Sequence, residues 1–375
     1  MKIKCTYLFI IVSIIGMLFN NALLQSHKPT RHMQKNDIQA LYCAVKRNEI
    51  DKLRSLLEKD IDLNITDNFG DSALTYAASR NNIEAVKLLL KHGANINYKT
   101  PEPTALMYAA KNGNVPMLKL LLNNGANPNI QDSHGHTALI LAVILNKLEI
   151  VQILLDKKAN LNIQDKNGST ALIHAIQNSH IEILNLLLSN GADIHIQDKY
   201  QRTALVYAID KRNIIDVLLS HGANVNQQID NSATPLMYAR NPEICLALLA
   251  RGASINAQDN NGKTALHFAA KDNHKDKVMI LLNHKADVNL QDNNGSTALH
   301  AAFLNLSFGL RYPNPEIIKE LLNHSAKLDI KDNNGQTALD LALHLMQRIK
   351  LDQKRLNEKI DNNKKIIELL QPNLS

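Results

Sequence analysis

An all-α stack of short helical pairs is the fold class this sequence predicts, and three observations predict it. The tripeptide Thr-Ala-Leu recurs at Thr104, Thr137, Thr170, Thr203, Thr264, Thr297 and Thr337, with Ser72-Ala73-Leu74 and Thr234-Pro235-Leu236 in the same slot. Successive starts lie 32, 33, 33, 33, 31, 30, 33 and 40 residues apart. About 22 residues after most starts comes Gly-Ala, as at Gly93, Gly125, Gly191, Gly222 and Gly252, and about eight further on comes Asp-x-x-Gly. The composition agrees: 45% of the 375 residues are hydrophobic, 21% charged, only 4% aromatic, and Trp is absent. A large globular core leans on bulky rings, so this core is built from Leu, Ile, Val and Ala. Length alone would suggest two or three globular domains, but a fixed period replaces that count with an array.

The chain divides into residues 1–22, a linker over 23–36, an array over 37–371 and a tail over 372–375. Lys2 and Lys4 precede an apolar run from Tyr7 to Phe19. As a helix this run spans about 20 Å, against the ~30 Å of a bilayer core. An export signal is therefore the preferred reading, with a retained amino-terminal anchor as the alternative; Ala22 offers a small residue for cleavage. Cleavage makes the protein secreted or periplasmic; retention leaves it membrane-anchored.

Within each unit, Thr before Ala-Leu is an N-cap whose hydroxyl accepts from free backbone N–H groups. In the seventh unit Pro235 follows the cap, the position where a missing N–H costs nothing. Small pairs such as Ala109-Ala110 and Ala269-Ala270 let first helices approach closely. A second helix follows, such as Ile183 to Leu188, and Gly191 ends it in the left-handed conformation. One unit cannot bury its Leu-rich faces, whereas stacked neighbours can. Ten units at ~8–10 Å spacing predict a rod about 80–100 Å long. The first unit, with Lys46, Arg47, Asp51, Lys52, Arg54 and Glu58, suits a polar end cap.

These motifs resemble the ankyrin repeat, over roughly residues 37–371 and about ten units. The resemblance implies a solenoid of helix-turn-helix units with projecting hairpin-like loops, and a protein partner bound along the loop tips and the concave face of the first helices. Carried over unit by unit, the tips present Phe69, Tyr98, His134 and Tyr200. The ends of the first helices present Arg80, Lys111, Ile144, Leu145, Gln177, Asn178 and Lys271. Ile144-Leu145 puts two aliphatics in a slot that is polar in most other units, either a hydrophobic hot spot or tighter local packing. Tyr76, Tyr108, Tyr207 and Tyr238 share one first-helix slot and read as core. The export-like segment and the abundance of Asn, Ile and Lys resemble ankyrin-repeat proteins of host-associated intracellular bacteria.

The units that break the pattern are as informative. The sixth and seventh lose two and three residues between their helices, near Asp210 to Ile214 and Arg240 to Ile244. The ninth gains about seven in Phe303 to Pro315, where Phe303, Phe308 and Tyr312 are either binding anchors or a self-packed cover, and where Pro313 and Pro315 stop helix propagation. The tenth is interrupted over 346–365, and its Lys/Arg-rich part from Lys350 to Lys365 reads as a solvated helix face because acids interleave it.

No catalytic constellation emerges, so the reading is a non-enzymatic scaffold with no cofactor and no assigned metal site. His134-x-His136 lacks nearby Cys ligands. His267 and His300 read as first-turn structural groups, and His92, His221, His284 and His324 as second-helix C-terminal groups favoured by the dipole. Cys43 and Cys245 lie too far apart in the array to pair and read as small buried hydrophobes. A net charge of +7 permits weak attraction to anions, but the basic residues are dispersed, so nucleic acid is not an expected partner. Membrane contact is expected only if the amino-terminal segment is retained, and the protein is expected to be a monomer. The runner-up reading is a tethered envelope or periplasmic protein that protects or organises a neighbouring enzyme.

Overall fold

The computed structural model describes residues 35–345 apart from 60, 69 and 305–313, together with 347 and 354. The described chain forms helical pairs. In the first four repeats these are α1 (Lys35–Arg47) and α2 (Ile50–Leu57), α3 (Ala73–Ser79) and α4 (Ile83–Lys91), α5 (Ala105–Asn112) and α6 (Val115–Asn123), α7 (Ala138–Ile144) and α8 (Leu148–Asp156). The next five give α9 (Ala171–Gln177) and α10 (Ile181–Ser189), α11 (Ala204–Tyr207) and α12 (Arg212–Ser220), α13 (Pro235–Tyr238) and α14 (Pro242–Ala250), α15 (Ala265–Lys271) and α16 (Lys275–Asn283), α17 (Ala298–Leu304) and α18 (Pro315–Asn323). Residues 338–345 begin a tenth. The chain divides into two compact bodies, Met1–Ala159 and Asn160–Ser375.

In the first body the first helices α1, α3, α5 and α7 pack in succession, with α2 on α4 and α6 on α8. In the second, α9 packs on α11, α13 on α15 and α15 on α17, while α12, α14, α16 and α18 form the parallel row. The Ala-Leu pairs supply the core: Ala105, Leu106, Ala109 and Ala110 are at most 2% exposed. The predicted caps form in most repeats. Thr137 Oγ1 accepts from the Ile140 N–H at 3.2 Å, and Ser72, Thr104 and Thr170 act alike. Thr203 is different: among the described residues its buried hydroxyl has no partner. Gly191 ends α10 with φ +83°, as predicted, but Lys158, Lys285 and Ser325 take that conformation in three other repeats. The first repeat carries its charges outward, with Lys46, Arg47, Asp51, Lys52, Arg54 and Glu58 exposed.

Asparagine, which the sequence shows only as an abundance, ties repeat to repeat. Asn64 Oδ1 accepts from the Asn95 N–H and Asn97 Oδ1 from Asn127 in the first body. Asn226 accepts from Ser254, Asn256 from Asp287 and Asn289 from Lys327 in the second, all at 2.7–3.0 Å. Other asparagines cap second helices, as Asn82 and Asn114 do for α4 and α6.

The loops fold back as hairpin-like turns, with the Asp165 N–H donating to the Ser169 carbonyl at 2.9 Å, and the one β-bridge among the described residues joins Thr66 to Ser72. Three expectations are corrected. The residues lost from the sixth and seventh repeats shorten the first helices: α11 and α13 have four residues each, against eight in α5. Phe303 belongs to helix α17 and is half-buried there. Pro315 opens α18 at a position where proline fits, with Asn314 capping. Phe308 and Tyr312 lie outside the described residues, as do Phe69, the amino-terminal segment, and the basic segment from Lys350 to Lys365 apart from Lys354, which is helical and exposed. Among the described residues no helix is long and apolar enough to cross a membrane.

Candidate interaction surface

The loop between repeats is folded by the aspartate of Asp-x-x-Gly, or by Asp198 of Asp198-Lys199-Tyr200-Gln201, where glutamine stands in place of the glycine. Asp198 Oδ1 accepts from the Tyr200 and Arg202 backbone N–H groups at 2.8 and 2.9 Å, while its own N–H donates to the Arg202 carbonyl at 3.0 Å. Asp165, Asp259, Asp292 and Asp332 make the same pattern. At Gly168, Gly262 and Gly295 the motif glycine has no room for a side chain: a Cβ on Gly262 would stand 2.8 Å from the Asn293 nitrogen of the next loop, whereas Gln201 fills the same slot after Asp198 with φ +60°. This close nesting holds the loop ends in fixed positions and makes them a platform.

On that platform the second body builds one dense polar-aromatic cluster. Asp198 Oδ2 accepts from Tyr207 Oη at 2.6 Å and from Arg202 Nε and Nη2 at 2.9 and 2.8 Å. Burial alone would raise the Asp198 carboxyl; the hydrogen bonds from Tyr207 and Arg202 outweigh it and hold the group below the usual carboxylate range. Tyr207 is pushed up to about 12 by burial and by the Asp198 carboxylate it donates to. The Arg202 guanidinium carbon sits 4.6 Å from the Tyr200 ring centroid and 4.8 Å from that of Tyr207, and Lys199 Nζ lies 5.1 Å from the Tyr200 ring. Tyr200 is nevertheless 53% exposed. Aromatic rings fixed beside an arginine, with their outer faces wet, have the make-up of binding hot spots.

Tyr200 is therefore a projecting tip residue, as the sequence predicts. Tyr98 is half-buried in a slot that Ile130 fills in the next repeat, so it is a shoulder of its loop. Ile144 is half-buried at the end of α7 and Leu145 is 41% exposed, with exposed Leu148 two residues beyond the turn. These form an apolar spot in the first body.

The sequence reading missed the tyrosine slot. Tyr76, Tyr108 and Tyr207 are half-buried and Tyr238 is 48% exposed, so the slot is surface and not core. The rings reach back to the loop aspartates, Tyr108 to Asp71 at 3.4 Å and Tyr207 to Asp198. The signal was present: a core slot would hold aliphatics throughout, yet this one holds a tyrosine or a histidine in five repeats.

Six histidines make structural hydrogen bonds. His267 Nδ1 receives the Thr264 N–H at 3.1 Å and its Nε2–H donates to the Ser296 carbonyl of the next repeat at 2.9 Å. His300 repeats this with Thr297 and Gln336. His92, His221, His284 and His324 each donate from Nδ1 to a carbonyl one turn back, at 2.8–2.9 Å. Asp132, His134 and His136 bring three possible metal donors within 4.8 Å of one another. Asp132 Oδ1 also accepts from both histidine N–H groups at 2.8 Å, the loop-folding role that other repeats fill without histidine. Cys245 is buried and Cys43 half-buried, both as free thiols.

One further departure is invisible to motif reading. The third residue of the second helix is Ala85, Met117, Ile150, Ile183, Ile214, Ile244 and Ile317 in seven repeats, each at most 2% exposed. In α16 it is Lys277, equally buried. Its Nζ donates to the Met237 carbonyl at 2.9 Å, beside the shortened end of α13.

Stacked helix pairs joined by loops of this chemistry define a repeat protein. Residues 9–100, 106–198, 190–259 and 236–312 match the family model of ankyrin repeats in three copies, and 294–333 match the single ankyrin repeat. The chain belongs to the ankyrin-repeat family, whose repeats generally mediate protein–protein interaction. An ankyrin repeat protein of Rickettsia felis (strain ATCC VR-1525 / URRWXCal2) is 42% identical over 87 residues, 22% of this chain and 28% of the relative. One of Rickettsia bellii (strain RML369-C) is 34% identical over 62 residues, 15% of this chain and 37% of the relative. The chain thus aligns with about a third of the length of these curated relatives. The crystal structure of the ankyrin repeat domain of Bcl-3, a member of the IkappaB protein family, superposes with a TM-score of 0.52 at 25% identity, over 60% of this chain and 99% of that one.

Proposed function

We propose that this protein is a non-enzymatic scaffold that binds a protein partner through its first-helix face and loop tips, and that it is exported to act on host proteins. The observation that carries the binding half is the Arg202 sandwich between Tyr200 and Tyr207. Its side chains are ordered before any partner arrives, which lowers the entropy cost of docking. Export is supported by the basic-then-apolar segment from Lys2 to Phe19, and a host-directed role by relatives in Rickettsia, intracellular bacteria.

Affinity capture from host-cell lysate tests the binding half. The wild-type chain retains a partner, and Arg202→Ala weakens retention about tenfold or more, the scale of one hot-spot residue. Equal retention by a folded Arg202→Ala chain contradicts the assignment of the surface. Ile144→Ser with Leu145→Ser tests the apolar spot of the first body in the same assay. For export, amino-terminal sequencing of protein from its native cell separates the readings. A start near Leu23 supports cleavage, and an intact Met1 supports the tethered envelope protein.

A further inference from the structure

The shortened first helices of the sixth and seventh repeats leave a cavity of about 360 Å³ within the second body, lined by Ile209, Tyr238, Arg240, Phe268, Asp272 and Lys277 among others. Helices α11 and α13 stop at Tyr207 and Tyr238, about a turn earlier than the other first helices, and residues at both ends line the cavity. Lys277 projects into it from a slot that is aliphatic in seven other repeats. In the first repeat, which no described repeat precedes, the same slot is Lys52 and is exposed. The slot therefore faces the preceding repeat, and Lys277 faces the gap in the seventh.

The ammonium is only partly provided for. Of its three N–H groups one reaches the Met237 carbonyl, and among the described residues no carboxylate lies within 4.0 Å of it. Burying a cation without a counter-ion is unfavourable. Burial accordingly lowers Lys277 to about 8, with Cys245 and Asp272 opposing the shift and Arg240 adding to it. A packing role alone would be served by the isoleucine that other repeats carry. The rim is accessible: Tyr238 is 48% exposed, Arg240 and Asp210 are exposed, and Asp272 and His274 are half-buried. Tyr238 belongs to the surface slot of the first helices, so the mouth opens where the proposed partner lies.

We infer that this cavity seats a carboxylate side chain, Glu or Asp, of the docked partner, with the Lys277 ammonium as its buried counter-ion. The inference rests on the interaction reading above and adds the chemistry of one contact. A single negative charge suits the site, because Asp210 and Asp272 in the lining disfavour a doubly charged phosphate. The volume lies at the low end of ligand pockets, which admits a side chain and excludes a folded element. Arg240 at the rim draws the anion in, and Phe268 and Tyr238 contribute aromatic surface to the lining.

The test follows the Lys277 side chain by NMR in full-length chain labelled with [13C]lysine, its Cε resonance assigned by its absence in Lys277→Met. The probes are the capped peptides acetyl-Gly-Glu-Gly-amide and acetyl-Gly-Gln-Gly-amide, and sodium acetate. The Glu peptide is expected to raise the Lys277 titration midpoint by about one unit, a tenfold gain in proton affinity, and the Gln peptide to leave it in place. Equal effects of Glu and Gln peptides overturn the inference. Acetate acting as strongly as the Glu peptide assigns the site to free carboxylates and overturns the partner side chain. The scaffold reading fails separately: a partner captured equally by wild type and Lys277→Met removes this contact and leaves the scaffold, whereas a peptide response with no partner captured leaves the carboxylate site and removes the scaffold.

Discussion

Two threonines in the same slot separate a working cap from a decorative one. Thr137 satisfies a free helix N–H, and Thr203 buries a hydroxyl with no partner among the described residues. Thr137→Val is expected to cost about 1 kcal/mol. Thr203→Val, which removes a buried unpaired group, is expected to be neutral or stabilising; denaturant titration of both variants checks the contrast. Lys277 gives a second prediction. Its folded value lies below its unfolded one, so protonation opposes folding. Stability is full above the unfolded value near 10.5 and is lost as pH falls through about 8. The lost increment is about 3 kcal/mol by linkage. Lys277→Met removes that slope, and its advantage at neutral pH is reduced by the lost Met237 bond. Unfolding curves for the two chains between pH 7 and 11 check this, and parallel curves contradict it. His267, lowered by burial despite the Ser296 carbonyl, acts in the same sense: stability is full above its unfolded value, about 6.5, and falls as pH drops through its folded one.

The helical pairs and their caps are legible because they rest on local chemistry repeated nine or ten times, and the glycine ends because five repeats carry Gly-Ala at the same offset. What escaped the sequence was whatever one repeat does to the next. Deleted residues between helices look like a shorter turn in one dimension, yet the structure takes them from α11 and α13, because the second helices must keep their stacking row. The asparagine ladder was hidden for the same reason: a residue that caps its neighbour's backbone looks like composition until the neighbour is in place. Glycines give the test of this coupling. Gly262 and Gly252 both have positive φ, but only Gly262 meets the next loop, at 2.6–3.1 Å. Alanine at Gly252 is expected to cost the left-handed penalty of about 1–2 kcal/mol, and alanine at Gly262 clearly more. Equal costs in thermal unfolding would mean that the loops do not nest.

For the molecule as a whole, the period of 33 revealed the architecture, and the surface was legible only in part. Tyr200 was found because a tip residue needs no tertiary contact to be placed. The tyrosine slot was misassigned to the core because periodicity reports which side of a helix a residue shares and not how deep that side lies. Lys277 was passed over because one lysine among many carries no motif, and only comparison of buried slots sets it apart. The proposed partner lies on the first-helix and loop side. Site-specific photocrosslinking tests it most directly, with a benzophenone amino acid at Tyr200 or Tyr238, and at Leu246, which is 43% exposed on second helix α14. One discrete protein adduct from host lysate is expected at positions 200 and 238 and none at 246. Adducts at 246 alone, or equal labelling at all three, would contradict it.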